Sequence, residues 1–176
     1  MDTAALEHKT HLVIDEYIKK LDRYTYEQIT QQPAPGSWSI GQVYVHLWMS
    51  AKGFFFKKAD LCLTAGEGTV KDKGKNWKGL LVFAIGKMPT VRVRMPDQVA
   101  VEPRMPESMD QLRSRLLEIR GLATDYIHRI PQADPAVRAR HPFLGYLNTD
   151  EWISLCNMHF RHHEAQLRRI EKAFGW

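Results

Sequence analysis

The chain has 176 residues, 44% apolar and 26% charged, enough for one domain with a real core that needs no disulfide or metal to hold it. Its longest apolar run, GLLVFAIG at 79–86, is far short of the roughly 18 residues of a membrane span. The net charge of +5 could suit an anionic ligand or nucleic acid. However, the excess is concentrated in one stretch, Lys71 to Arg94, where a solvated loop is the simpler account, so neither nucleic acid nor a membrane is expected as a partner.

Four helices are predicted in chain order. The first covers about Thr3 to Gln31, with Leu6, Val13, Tyr17, Leu21 and Tyr24 on one face; the turn QQPAPGSW (31–38) then stops it. The second starts at Ser39, where Gln42 three residues on completes a capping box, and runs to about Ala65. Val43, Leu47, Phe54 and Leu61 form one apolar stripe, with Tyr44, Trp48, Ala51, Phe55 and Cys62 beside it. So wide an apolar arc belongs deep in the packing.

The third helix begins after Pro106, with Ser108 and Gln111 as start signals. Met109, Leu112, Leu116, Ile119, Ala123, Tyr126 and Ile130 alternate steps of three and four, and Pro131 ends it. The fourth starts near Asn148 or Thr149, with Glu151 reaching back to cap it. Its inner face carries Trp152, Leu155, His159, His163, Leu167, Ile170 and Phe174. Residues 67–106 between helices two and three are read as a long crossover, in which VRVRMPDQVAV (91–101) is a possible short extended piece. Such a crossover lets helices two and three run parallel. The expected fold is therefore all-α, one domain over 1–176, a four-helix up-down-down-up bundle.

Two histidines occupy positions where a bundle helix normally places apolar residues. His159 and His163 are four apart, so on a helix their rings stack one turn above each other. His46, early in helix two among apolar neighbours, is the best candidate for a third ligand. Three neutral imidazoles leave one position of a tetrahedral ion open, which suits catalysis better than structure. The bland alternative is a set of histidines hydrogen-bonded in a core. His162 falls off the ligand face. His8 and His11 on the first helix, and His128 and His141 read as surface or loop residues, stay outside the site. Cys156 is read as a small buried apolar residue, and Trp38 and Trp152 as packing rings. With no CxxC pair, Cys62 and Cys156 are expected as reduced thiols in a cytoplasmic protein.

Three pieces together, PGSWSIGQVYVHL (35–47), KMPTVRVRMP (87–96) and TDEWISLCNMHFRHHEAQLRRI (149–170), resemble the DinB/YfiT-like superfamily of small bacterial proteins. That resemblance implies a four-helix bundle, often a homodimer, with a divalent metal such as zinc or nickel on His46, His159 and His163. It also implies a choice of activities. One is a transferase that activates a low-molecular-weight thiol toward a small-molecule electrophile. A second is a hydrolase of an amide or ester through metal-bound hydroxide, which needs a general base that no residue supplies convincingly. A third is a stress-related protein that binds metal or ligand without turnover.

Overall fold

The computed structural model describes residues 2–89 and 102–176, so the extended piece expected at 91–101 lies outside the described residues. What is described is mostly helical, with one small two-stranded sheet.

Helix α1 spans Thr3–Leu21, opened by the Asp2 carboxylate, which accepts from the Ala5 amide at 3.0 Å. The helix expected to reach Gln31 is in fact two. After Leu21 the chain turns, and Thr25 starts a separate helix α2, Tyr26–Thr30, by a capping box with Gln28. The side chains of Thr25 and Gln28 satisfy backbone groups that a continuing helix would have paired, and this local competition breaks the run.

Helix α3 spans Ile40–Ser50 and then widens into a π-helical segment, Ala51–Phe56, before α4, Lys57–Leu63. A single α-helical period does not anticipate this. The wider turn changes the phase of the stripe, so the consecutive residues Phe55 and Phe56 are both buried, Phe56 stacking on Tyr126 at 5.2 Å.

The crossover is not featureless. Its start lies along a hairpin made of β1, Ala139–His141, and β2, Gly145–Leu147, paired antiparallel with Arg140 opposite Tyr146. Val70 exchanges backbone bonds with Arg138 at 2.9 Å, and the Tyr146 amide donates to the Gly74 carbonyl at 3.0 Å. Gly145 adopts φ 88°, and a Cβ there would stand 2.5 Å from the Asn76 amide nitrogen, so this turn needs glycine twice over. The crossover then forms a further helix, α5, Trp77–Ile85, between an Asn76 cap and the left-handed Gly86. Neither the hairpin nor α5 is anticipated by the sequence reading.

Helix α6 spans Met109–Arg129 and passes into a short 3₁₀ turn at Ile130–Gln132; helix α7 spans Thr149–Phe174. Helix α1 packs on α6 and α7, and the α3–π–α4 run packs on the same two helices from the other direction. Of the predicted seam of α6, Leu112, Leu116, Ile119 and Ala123 are buried, joined by Ile127. Helix α7 buries a broad arc, as the central element of such packing must. Two polar bonds pin it to α1: the Tyr17 hydroxyl donates to the Phe160 carbonyl at 2.7 Å, and the Asn157 amide donates to the Lys9 carbonyl at 3.0 Å.

Candidate metal centre

His46 is held by the way α3 begins. The Ser39 hydroxyl accepts from the Gln42 amide at 3.2 Å, and the Ser39 amide donates to the Gln42 side-chain carbonyl at 3.0 Å. That is the expected capping box. The Gln42 amide group also donates to the Pro103 carbonyl at 2.9 Å, so the chain returning from the crossover ties down the same turn. One helical turn later His46 faces α7.

Helix α7 is started by a further capping box, Asn148 with Glu151, and Glu151 also pairs with Lys75. Trp152, fully buried, donates its indole N–H to the Leu147 carbonyl at 3.1 Å and so locks the first turn to the hairpin. From this fixed start, the register of α7 places His159 and His163 opposite His46.

The three rings meet at their Nε2 atoms. His159 Nε2 lies 3.1 Å from that of His163 and 3.3 Å from that of His46. Ligand-bearing nitrogens of all three lie within 4.8 Å of one another. Nitrogens about 2.0–2.1 Å from a common tetrahedral ion stand about 3.3–3.4 Å apart, so the two spacings through His159 are close to those of ligands on one small ion. The proton bookkeeping fits as well. The Gln166 carbonyl oxygen can only accept, and it lies 2.8 Å from His163 Nδ1. That nitrogen therefore carries the proton and Nε2 presents a lone pair to the centre. Sequence reasoning passed over Gln166, although its place one turn beyond His163 is a readable signal.

Electrostatics keep the rings neutral. Burial, helped by neighbouring histidines, pushes His46 down to about 4 and His163 to about 3, and drives His159 well below the ordinary imidazole value. Neutral rings have lone pairs to give, so the cluster could hold a divalent metal ion at neutral pH. His159 Nδ1 is buried and has no hydrogen-bond partner among the described residues. The Nδ1 of His162, outside the three-nitrogen group, is buried and unpartnered in the same way, so this feature does not by itself separate a ligand from a core residue.

The surroundings are aromatic. Trp38 lies 5.0 Å from the His46 ring and Phe55 lies 5.1 Å from the His159 ring, centroid to centroid. Both rings confine the candidate ligands, and Trp38, expected to pack, does so against one of them. Ser50 Oγ sits 3.4 Å from His46 Nε2.

The remaining histidines divide as follows. His162 is half-buried, its ring 5.3 Å from that of His163, and it stays out of the three-nitrogen group. His11 meets Thr124 Oγ1 at 2.8 Å, between α1 and α6, and the exposed His128 faces Glu7. His141, read from the sequence as a surface or loop residue, ends strand β1 beside the hairpin turn and is buried, 9% exposed. Its Nδ1 accepts from the Phe143 and Leu144 amides at 3.1 and 3.2 Å, shaping the hairpin turn, while its ring packs on Trp152. Strands of three residues are too short for their alternation to reveal this. Cys156 is buried, its thiol pushed up by burial, and it lies outside the group, in keeping with an apolar role.

A family model, described as the DinB superfamily, matches residues 10–167 of the chain. No curated protein matches it.

Proposed function

The chain belongs to the DinB superfamily, and on that premise we propose that it is a metal-dependent enzyme whose divalent ion, zinc or nickel, is held by His46, His159 and His163. We read its activity as transfer of a low-molecular-weight thiol to a small-molecule electrophile. Residues 1–176 are read as one four-helix, up-down-down-up domain in which 67–106 cross over. The observation that carries the proposal is the convergence of three Nε2 atoms, 3.1 and 3.3 Å apart where measured through His159, from two separate helices.

His46, His159 and His163 would hold the ion, and when bound it would supply one thing, a lowered thiol pKa that makes the nucleophile available near neutral pH. The chain's own residues do the rest. Gln166 fixes the proton of His163 on Nδ1, which keeps Nε2 free to donate its lone pair. Trp38 and Phe55 hold the rings of His46 and His159 and make their surroundings apolar, which strengthens charge interactions at the site. In the transfer, sulfur forms a bond to the electrophilic carbon, the leaving group departs with the bonding pair, and the thiol proton passes to solvent.

Thiol transfer is favoured over hydrolysis by what surrounds the histidines. Hydrolysis asks for a general base near the attacking water, and the two acids of α7 that flank the histidines in sequence, Glu151 and Glu164, both have other partners. Glu151 is engaged by the Asn148 cap and by Lys75, and Glu164 faces Arg168 at 3.6 Å.

The test has two stages. Metal analysis of the purified protein should find near-stoichiometric divalent metal, lost in His159→Ala and His163→Ala. A panel of thiols against electrophiles should then show turnover only when a thiol is present. Thiol-independent cleavage of esters or amides would establish the hydrolase instead, and metal without any turnover would establish a binding protein.

A further inference from the structure

Helix α5 is assembled inside out. Trp77, Leu80, Leu81, Ala84 and Ile85 fall on one side of it, at spacings of three and four. Amphipathic helices turn such a stripe toward the core. Here it faces outward: Trp77 is 70% exposed, Leu80 58%, Leu81 52% and Ile85 60%. The opposite side, with Gly79 and Val82, is the buried one. A Cβ on Gly79 would come within 2.3 Å of the Leu144 carbonyl oxygen, so the helix is pressed against the hairpin and its outer face is held outward. Beside it Phe143 is 38% exposed, and its carbonyl accepts from the Asn76 side chain at 3.0 Å, extending the apolar rim.

The charges along this segment are predominantly positive. Residues 71–87 carry Lys71, Lys73, Lys75, Lys78 and Lys87 against one acid, Asp72. Lys71 pairs with Asp134 and Lys75 with Glu151. The exposed Lys73, Lys78 and Lys87 have no carboxylate partner among the described residues. An outward apolar stripe with a tryptophan, bordered by unpaired lysines, has the composition of an interfacial helix.

We propose that α5 and its lysines seat the protein on an anionic phospholipid surface, the apolar stripe entering the headgroup region and the lysines meeting lipid phosphates. No helix among the described residues is long and apolar enough to cross a membrane, so the contact is adsorption. A second copy of the chain suits the face less well. Twofold pairing would set lysines near lysines, and one nine-residue helix offers less than the roughly 800 Å² per partner of a stable interface. The expectation of a solvated loop changes because that reading did not recognise α5 as a helix, and so could not see its stripe.

The test is co-sedimentation of the full, metal-loaded chain with vesicles of phosphatidylcholine alone or mixed with phosphatidylglycerol. Binding to the mixed vesicles is expected, weakening with added salt and at least about tenfold weaker on phosphatidylcholine alone. The tryptophan emission should shift to the blue, and Trp77→Phe should remove that shift. Leu80→Glu with Leu81→Glu should abolish binding with an unchanged thermal midpoint, since both positions are exposed. Lys78→Gln should weaken it about fivefold. His159→Ala, which tests the metal centre, should leave vesicle binding intact, so the two proposals fail separately. Absence of binding to the mixed vesicles, or binding unaffected by the Leu80/Leu81 substitutions, overturns the proposal. So does a dimer in sedimentation equilibrium that those same substitutions dissociate.

Discussion

The hairpin and the α3–α7 seam each bury a histidine against aromatic rings, and burial lowers the affinity of both for protons. His141 sits 5.4 Å from the Trp152 ring, and His159 sits 5.1 Å from that of Phe55. They differ in what their nitrogens meet. His141 Nδ1 accepts from two backbone amides and closes a turn. His159 has one nitrogen without a partner and the other aimed at two more imidazoles. Burial and a depressed pKa are therefore common to both histidines, and what sets His159 apart is the convergence of its Nε2 with those of two more imidazoles.

The sharpest way to break this contrast is to truncate one histidine of each kind. His159→Ala should remove stoichiometric metal altogether, as read by elemental analysis after dialysis, whereas His141→Asn should leave metal content unchanged. Loss of metal in both would mean that the hairpin belongs to the site. Trp152 joins the two regions, since it is fully buried between the hairpin and the π-helical segment. Trp152→Ala should cost about 3–5 kcal/mol in denaturant unfolding. A cost under about 1 kcal/mol would show that the hairpin does not anchor α7.

A finer cut concerns Gln166, whose side-chain carbonyl meets the site histidine His163 at 2.8 Å. Gln166→Ala should weaken metal binding about 10- to 100-fold in a competition with a chelator, with little change in the stability of the metal-free protein. Unchanged affinity would remove its positioning role.

A further prediction concerns the pH dependence of His141. Its folded pKa is lowered to about 4, beneath an unfolded value of about 6.5, so the unfolded chain binds more protons between those values. Stability should be full above about pH 6.5 and fall as pH drops toward 4, by at most about 1.4 kcal/mol per pH unit for this one group. Metal-free His141→Asn should show a shallower decline than metal-free wild type. Equal slopes would mean that the ring titrates normally.

What could be read in the sequence follows from the period of its elements. His159 and His163 stood out because they interrupt the strong three- and four-residue seam of α7, and that helix runs as expected from Thr149 to Phe174. His46 was readable because the Ser39–Gln42 box fixes where α3 starts, and hence which way the residue points. The break after Leu21 was missed because the apolar face of α1 continues in phase to Tyr24, while the stop depends on Thr25 and Gln28 bonding locally. The π-helical turn at 51–56 was invisible because its phase change depends on where Phe54, Phe55 and Phe56 find space against Trp152, His159 and Tyr126. Helix α5 is hidden in the sequence because LLVFAI at 80–85 is a continuous apolar run, which shows no helical period of its own. His141 needed a tertiary partner, the Trp152 ring, before its burial made sense.

The central claim is that three imidazoles from α3 and α7 hold one ion. An anomalous-difference map from crystals of the protein as purified, collected above and below the zinc and nickel edges, tests it most directly. The account predicts a single strong peak about 2.0–2.1 Å from the Nε2 atoms of His46, His159 and His163. A map without a peak there, or with the ion on other side chains, would contradict it.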